Sequence, residues 1–206
     1  MATYTQLNEQ DIHSLADNYD LKVVKFSPLD GGLGNSSYIL KTQQASYVLT
    51  VCDNKKLDEV FKIGQLLLLL EAHNMPSNRL ISPVNSEILT TFATIDGVKP
   101  VILKDYIEGQ VVKQLDETML SEVGRQVARL NQIPPPDYLP TNHPYGRQFF
   151  SRVIGLNIDA KYESWMAKEI DYLEQNIAKN LPRGLIHGDL FYDNLLFNPL
   201  SSMPGG

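Results

Sequence analysis

A short polar segment near the end of the sequence contains the residue types that phosphoryl transfer to a hydroxyl group requires. It runs from His187 to Asn194 and reads His-Gly-Asp-Leu-Phe-Tyr-Asp-Asn, with apolar residues on both sides. Such a transfer needs a carboxylate that accepts the hydroxyl proton and an oxygen ligand for magnesium. The spacing therefore predicts Asp189 as the catalytic base and Asn194 as a magnesium ligand, held in a loop between two short strands. A surface loop with incidental polar residues is the alternative.

A glycine-rich stretch, residues 31–37, is the second candidate. It reads Gly-Gly-Leu-Gly-Asn-Ser-Ser and lies between the first two predicted strands. Backbone N–H groups can approach phosphates closely at glycine because no Cβ stands in the way. A strand follows the glycines, whereas the dinucleotide-binding fingerprint requires a helix there. This order favours a hairpin lid over ATP, and an ordinary hairpin turn is the alternative.

An acidic residue, Glu59, lies early in a long predicted helix over 57–74. In kinase-like folds a glutamate at this place orients a strand lysine toward the phosphates. A solvated acid favoured by the helix dipole is the alternative. The position of the usual lysine holds Thr50, in the strand Tyr-Val-Leu-Thr-Val. Lys41 and Lys55 are two candidate substitutes, and the sequence does not choose between them.

Helices and strands must position these candidate residues, and the periodicity of the apolar residues predicts where these elements lie. We expect a helix over 6–19 with Asn8 as its N-cap, and a five-stranded antiparallel sheet within residues 21–104, with one helix inserted after the third strand. The predicted strands cover 21–26, 38–41, 47–51, 88–95 and 100–104. Leucines at 66–70 predict that the helix over 57–74 is buried on more than one side. Further helices are predicted over 116–132 and 158–180.

Composition excludes several classes of protein. The 206 residues carry 18 basic and 24 acidic side chains, so a basic surface for nucleic acid is not expected. One cysteine, Cys52, cannot form an internal disulfide or a cysteine-based zinc site. The longest apolar run is far below the roughly 20 residues that span a bilayer. The polar start does not match a signal peptide, and we expect a cytoplasmic protein without membrane partners.

On these residues the sequence resembles the aminoglycoside phosphotransferase and choline kinase group, and within it the homoserine kinases. Three stretches carry the resemblance: Leu-Asp-Gly-Gly-Leu-Gly-Asn with the third strand, the helix led by Glu59, and Ile-His-Gly-Asp-Leu-Phe-Tyr-Asp-Asn. Threonine in place of the strand lysine is a trait of those homoserine kinases. The resemblance covers nearly the whole chain.

The resemblance implies a kinase-like, two-lobed α+β fold. Residues 1–104 would form a nucleotide-binding lobe, residues 105–110 a hinge, and residues 111–206 a partial helical catalytic lobe. It also implies ATP and Mg²⁺ as cofactors and a small molecule with a hydroxyl group as the acceptor. The implied nucleotide-binding residues are Gly32, Gly34, Asn35, Ser36 and Glu59, with the hinge residues Asp105, Tyr106 and Ile107 at the adenine.

The product implied for a homoserine kinase is O-phosphohomoserine, on the route to threonine. A kinase for choline or an aminoglycoside, a non-catalytic nucleotide-binding remnant, and a structural domain without a ligand remain the alternatives. Relatives of the group continue into a strand with Ile-Asp-Phe, whose aspartate holds magnesium. No such segment follows Asn194 here, so we expect an incomplete, C-terminally truncated catalytic lobe.

Overall fold

Alternating apolar and polar residues build an antiparallel sheet in the first half of the chain. In the computed structural model, which describes residues 4–29, 34–142, 146–178 and 180–198, this sheet has six strands. They are β1 (Lys25–Leu29), β2 (Ser36–Lys41), β3 (Ser46–Val51), β4 (Leu80–Ile81), β5 (Thr90–Thr94) and β6 (Gly97–Asp105). The spatial order is β1-β2-β3-β6-β4, and β5 pairs with β6 as a hairpin.

The predicted count of five strands is wrong by one, because the two-residue β4 is too short to show a periodicity. The first strand also begins later than predicted, at Lys25, and extends to Leu29. Leu21 and Val23 instead pack into the core outside any strand. Burial against the first helix, rather than strand pairing, determines their conformation.

Four α-helices accompany the sheet among the described residues: α1 (Glu9–Asp17), α2 (Leu57–Ala72), α3 (Glu117–Asn131) and α4 (Ala160–Asn176). Asn8 caps α1 as predicted, through a reciprocal capping box with Asp11. Short 3-10 segments cover Arg147–Val153 and Tyr192–Asn194.

Each face of the sheet has its own core because successive side chains of a strand point to opposite faces. On one face α1 packs against residues such as Leu40, Leu49 and Leu103. On the other, which we call the α2 face, Val60 of α2 packs with Cys52, Leu80 and Ile102.

The expectation that α2 is buried on more than one side is wrong for the described chain. Only Val60 and Gly64 of this helix are buried, and Leu68 is 41% exposed. Gly64 allows the close approach, since a Cβ there would collide with Ile88. The helix therefore packs through one narrow face, and its leucines are only partly covered.

By internal contacts the chain divides into two compact units, residues 1–126 with 190–206, and residues 127–189. The first holds the whole sheet, α1 and α2. The second holds α4 and the last part of α3. The lobe boundaries drawn from the sequence, at 104 and 111, remain a prediction.

Candidate active site

The segment from His187 to Asn194 lies at the surface, is irregular over its first five residues and ends in one 3-10 turn. Gly188 adopts a φ of 80°, in the left-handed region that glycine tolerates. The N–H of Asp189 donates to Nδ1 of His187 over 3.3 Å. The N–H of Asn194 donates to the carbonyl of Phe191 over 3.0 Å and closes the turn. The predicted base, Asp189, and the predicted magnesium ligand, Asn194, are therefore carried on short, locally hydrogen-bonded backbone.

The backbone before this segment is fixed against the end of α3. Leu185 is buried, and its N–H donates to the carbonyl of Ile133 over 3.3 Å. Gly184 lies directly on the backbone of Asn131, where a Cβ would collide with the carbonyl oxygen. These contacts replace the strand that we expected at residues 185–186, so that part of the prediction is wrong.

The backbone after the segment is fixed against the predicted hinge. Phe197 and Gln110 exchange two backbone hydrogen bonds of 2.9 Å each, in an isolated antiparallel bridge. Gly109 permits this approach because a Cβ there would lie 2.9 Å from Cβ of Leu196. Asn194 is thus held three residues from a fixed point on the hinge.

Within the predicted hinge, hydrogen bonds to residues 78 and 79 already occupy the polar groups of Asp105. Its N–H donates to the Arg79 carbonyl, its carbonyl accepts from Nδ2 of Asn78, and its carboxylate accepts from the Arg79 N–H over 2.6 Å. The Tyr106 N–H donates to the Ser46 carbonyl over 3.1 Å. The Ile107 N–H has no hydrogen-bond partner among the described residues. Of the three predicted hinge contacts, Ile107 is the residue whose backbone donor remains available to a purine base.

The glycine-rich stretch is described from Gly34 onward, and Gly32 lies outside the described residues. Gly34 adopts a φ of 85°, and a Cβ there would lie 2.9 Å from Nδ2 of Asn54. The next residue, Asn35, buries its Oδ1 atom, which has no hydrogen-bond partner among the residues that the structure describes. A buried amide oxygen of this kind carries a desolvation cost that a bound donor would relieve. Gly34 and Asn35 thus fit a loop that receives a polar ligand.

The hydroxyl of Ser36 forms its hydrogen bonds on the face of the sheet opposite the α2 face. The hydroxyl donates to Oδ2 of Asp53 over 2.6 Å and accepts from the Thr5 N–H over 2.8 Å. Ser37 faces the other way and hydrogen-bonds with the Thr50 hydroxyl at 3.1 Å. Any contact of Ser36 with a nucleotide would therefore come from its backbone.

The Asp53 carboxylate is the centre of the hydrogen-bond network on the face opposite the α2 face. Its side chain is 1% exposed and accepts from Nζ of Lys99 over 2.7 Å, from Ser36, and from the Thr5 hydroxyl over 2.5 Å. Burial raises the pKa of Asp53, but the hydrogen bonds and the Lys99 charge outweigh burial and lower the pKa overall. The network joins the chain start, the end of the glycine-rich stretch and β6. The sequence analysis missed it because its members are far apart in the chain.

Glu59 does not reach the sheet through a described hydrogen bond or ion pair. Its carboxylate accepts from the Lys56 N–H over 2.7 Å and caps the start of α2. This contact is the helix-start role that the sequence left open as an alternative. A role at the nucleotide remains a prediction.

On the α2 face of the sheet the structure places a lysine that the sequence analysis did not consider. Val48 and Thr50 of β3, with Cys52 directly after the strand, share this face with Ile102 and Lys104 of β6. Lys104 is partly buried, and burial lowers its pKa, against the charges of Cys52 and Asp105 that raise it. For the Cys52 thiol the effect of burial has the opposite sign: burial raises its pKa, and the charge of Lys104 lowers it. The alternation Pro-Val-Ile-Leu-Lys at 100–104 is the signal that could have identified this lysine.

In the described parts of the chain, no helix is long and apolar enough to cross a bilayer. Nor do those residues bring together three or more His, Cys, Asp or Glu side chains in a metal-binding group.

Comparison with known proteins identifies the family. A model of the phosphotransferase enzyme family APH matches residues 25–204, which include the glycine-rich stretch, the hinge and the His187–Asn194 segment. The chain belongs to this phosphotransferase family. The resemblance that the sequence motifs indicated is thereby confirmed.

Curated relatives in this family are named homoserine kinase. The protein from Beijerinckia indica is 26% identical over 96% of this chain, and the one from Paramagnetospirillum magneticum is 27% identical over 96%. The chain spans 63% and 62% of the length of these relatives.

Solved structures establish the fold of this family member. Spectinomycin phosphotransferase in complex with ADP and spectinomycin matches with a TM-score of 0.64 and 17% identity, over 92% of this chain and 65% of that one. A microcompartment-associated aminopropanol kinase matches with a TM-score of 0.65 and 16% identity, over 92% of this chain and 64% of that one. The kinase-like α+β fold is therefore confirmed.

Proposed function

We propose that this chain acts in ATP-dependent phosphoryl transfer to the hydroxyl group of a small amine-bearing metabolite. The observation that carries the proposal is the His187–Asn194 segment inside the family match, fixed before and after by backbone contacts. Such fixing supports a catalytic role because reacting groups must be held in place to gain from proximity.

The roles follow from the chemistry of the side chains. As the acceptor oxygen attacks the γ-phosphorus and the bond to the β-phosphate oxygen breaks, Asp189 takes the hydroxyl proton and ADP leaves. Asn194 offers an amide oxygen, a ligand type that suits Mg²⁺. Magnesium is usually bound through one or two carboxylates together with substrate phosphates, and Asn194 would add an amide oxygen to such a set of ligands. A bound Mg²⁺ would neutralise charge on the phosphates.

The nucleotide would lie against the α2 face and the hinge. The free Ile107 N–H fits the adenine, and Gly34 and Asn35 fit the phosphates. Support for a nucleotide and a divalent metal also comes from a structural neighbour, an amicoumacin kinase solved with AMP-PNP and Ca²⁺, with a TM-score of 0.64 and 16% identity.

For the acceptor we propose homoserine, converted to O-phosphohomoserine. The curated relatives named homoserine kinase support this choice. The aminopropanol and spectinomycin kinases among the structural neighbours support an amino alcohol or an aminoglycoside as the competing acceptor.

The test is a transfer assay with ATP, Mg²⁺ and one acceptor at a time: homoserine, choline, aminopropanol or spectinomycin. Phosphorus NMR follows the product, and Asp189→Asn serves as the matched inactive control. We expect O-phosphohomoserine from the wild type only. Turnover of choline, aminopropanol or spectinomycin without homoserine would refute the choice of acceptor. Binding of ATP with no transfer to any of the four would refute the catalytic proposal in favour of a nucleotide-binding remnant.

A further inference from the structure

The α2 face carries the positive charge of Lys104, which the Asp105 carboxylate offsets only in part. Among the described residues, Nζ of Lys104 donates no hydrogen bond and forms no ion pair. Its neighbours on this face include the apolar Leu80 and Ile102. A partly buried ammonium group that lacks a hydrogen bond and an ion pair is costly, and a bound anion would offset that cost.

The strand register places this charge near the position where β3 lacks its lysine. Thr50 pairs with Ile102 and Val48 pairs with Lys104, so Thr50 and Lys104 are diagonal neighbours on one face. Diagonal neighbours in an antiparallel pair are about 7–8 Å apart, within reach of a lysine side chain. The ammonium of Lys104 can therefore lie over the Thr50 hydroxyl.

The charge of Lys104 also acts on a residue farther along the same face. The Lys104 charge acts on the Cys52 thiol more strongly than does Lys55, which is only three positions along the chain from Cys52. Cys52 lies beyond Thr50, where its N–H donates to the Pro100 carbonyl. The face that carries Lys104 thus leads through Thr50 and Cys52 to Asn54, which lies against Gly34 at the end of the glycine-rich stretch.

Lys41 and Lys55, the two lysines named from the sequence, are less well placed than Lys104 to replace the lysine that β3 lacks. Lys41 is exposed and ends β2, at the end of the strand opposite to the glycine-rich stretch. Lys55 is exposed in the turn before α2. Lys55 is the stronger of these rivals because Asn54, which precedes it, contacts Gly34.

We propose that Lys104 of β6 supplies the phosphate-binding ammonium group that β3 lacks at Thr50. The inference rests on the proposed function in one respect, since it takes the phosphate chain of ATP as the anion. Lysine binds phosphate as a compact point charge, and a mobile four-carbon stem can deliver it from a neighbouring strand.

Calorimetric titration of the chain with ATP and, separately, with adenosine tests this proposal. A hydrogen bond to a charged phosphate corresponds to about 10- to 100-fold in affinity. We expect Lys104→Met to weaken ATP binding by about that factor and to leave adenosine binding within about twofold. Lys104→Arg should keep ATP affinity within about tenfold of the wild type. Lys41→Met and Lys55→Met are matched controls that should leave ATP affinity within about threefold.

Several results would overturn the proposal while the wild type still binds ATP. They are unchanged ATP affinity in Lys104→Met, an equal loss for adenosine, and a loss that follows Lys55→Met instead. Thermal unfolding separates binding from folding: Lys104→Met should be at least as stable as the wild type, because methionine removes the buried charge. A marked loss of stability would mean a structural partner for Lys104 and would also refute the proposal. A wild type that binds neither ATP nor adenosine would instead refute the proposed function, and this inference with it.

Discussion

The Asp53–Lys99 ion pair gives the sharpest stability prediction, because both side chains are largely buried. Asp53→Asn keeps the size of the side chain but removes the charge that faces Nζ of Lys99 at 2.7 Å. Removal of one partner from a buried pair costs about 3–5 kcal/mol because the other charge stays buried and unpaired. We expect about 3 kcal/mol, since the amide oxygen can still accept from the hydroxyls of Thr5 and Ser36.

Urea unfolding at neutral pH, followed by circular dichroism, measures this loss in the free energy of unfolding. Asp58→Asn is the matched control, since Asp58 forms an exposed pair with Lys62 on α2 at 3.9 Å. That change should cost at most about 0.5 kcal/mol. If Asp53→Asn cost no more than Asp58→Asn, the reasoning from burial would be refuted.

The dependence on pH provides a second check of the same pair. The pKa of Asp53 is lower in the folded protein than the value of about 3.9 in an unfolded chain. The unfolded state therefore binds more protons in the window between the two values, and the stabilisation is lost as the pH falls through the folded pKa. The difference between wild type and Asp53→Asn should be constant from about pH 5 to 8 and should shrink below about pH 4.

Three further predictions concern the candidate site and its supports. Asp189→Asn should abolish phosphoryl transfer with ATP affinity largely retained, and an unchanged rate would contradict the role of Asp189 as the base. Asn194→Ala should raise the magnesium concentration needed for the half-maximal rate. Tyr38→Phe leaves the buried Leu7 N–H without the hydroxyl that it contacts at 2.9 Å, and should cost about 1–3 kcal/mol in urea unfolding, against little effect for the exposed Tyr172→Phe. Gly184→Ala would push a Cβ into a carbonyl at the end of α3 and should lower the thermal midpoint, whereas Gly124→Ala, which has open space, should not; equal midpoints would contradict the packing described here.

Local sequence determined much of the secondary structure of this protein. Helix α1 begins at Asn8 because an Asn and an Asp three residues apart form a capping box within one turn. The β5–β6 hairpin turns at Ile95 and Asp96 before Gly97, whose φ of 121° only glycine tolerates easily. Such features depend on residues a few positions apart, so they can be read without a fold.

The candidate chemistry was also visible in the sequence, but its surroundings were not. The spacing of Asp189 and Asn194 identified the segment, and the family match includes it. That Phe197 bridges to Gln110, and that β4 joins the sheet with only two residues, depend on backbone partners far along the chain. No local pattern encodes such partners.

Register and burial decided the remaining features. Side chains alternate along a strand, so the pairing of β3 with β6 put Lys104 on the face of Thr50 and Lys99 on the opposite face, with Asp53. A sequence shows two lysines within one strand, five positions apart. Only the tertiary structure gives one of them an ion pair with a buried carboxylate and leaves the other without an ion pair among the described residues, because neutralisation of a charge depends on contacts between distant segments.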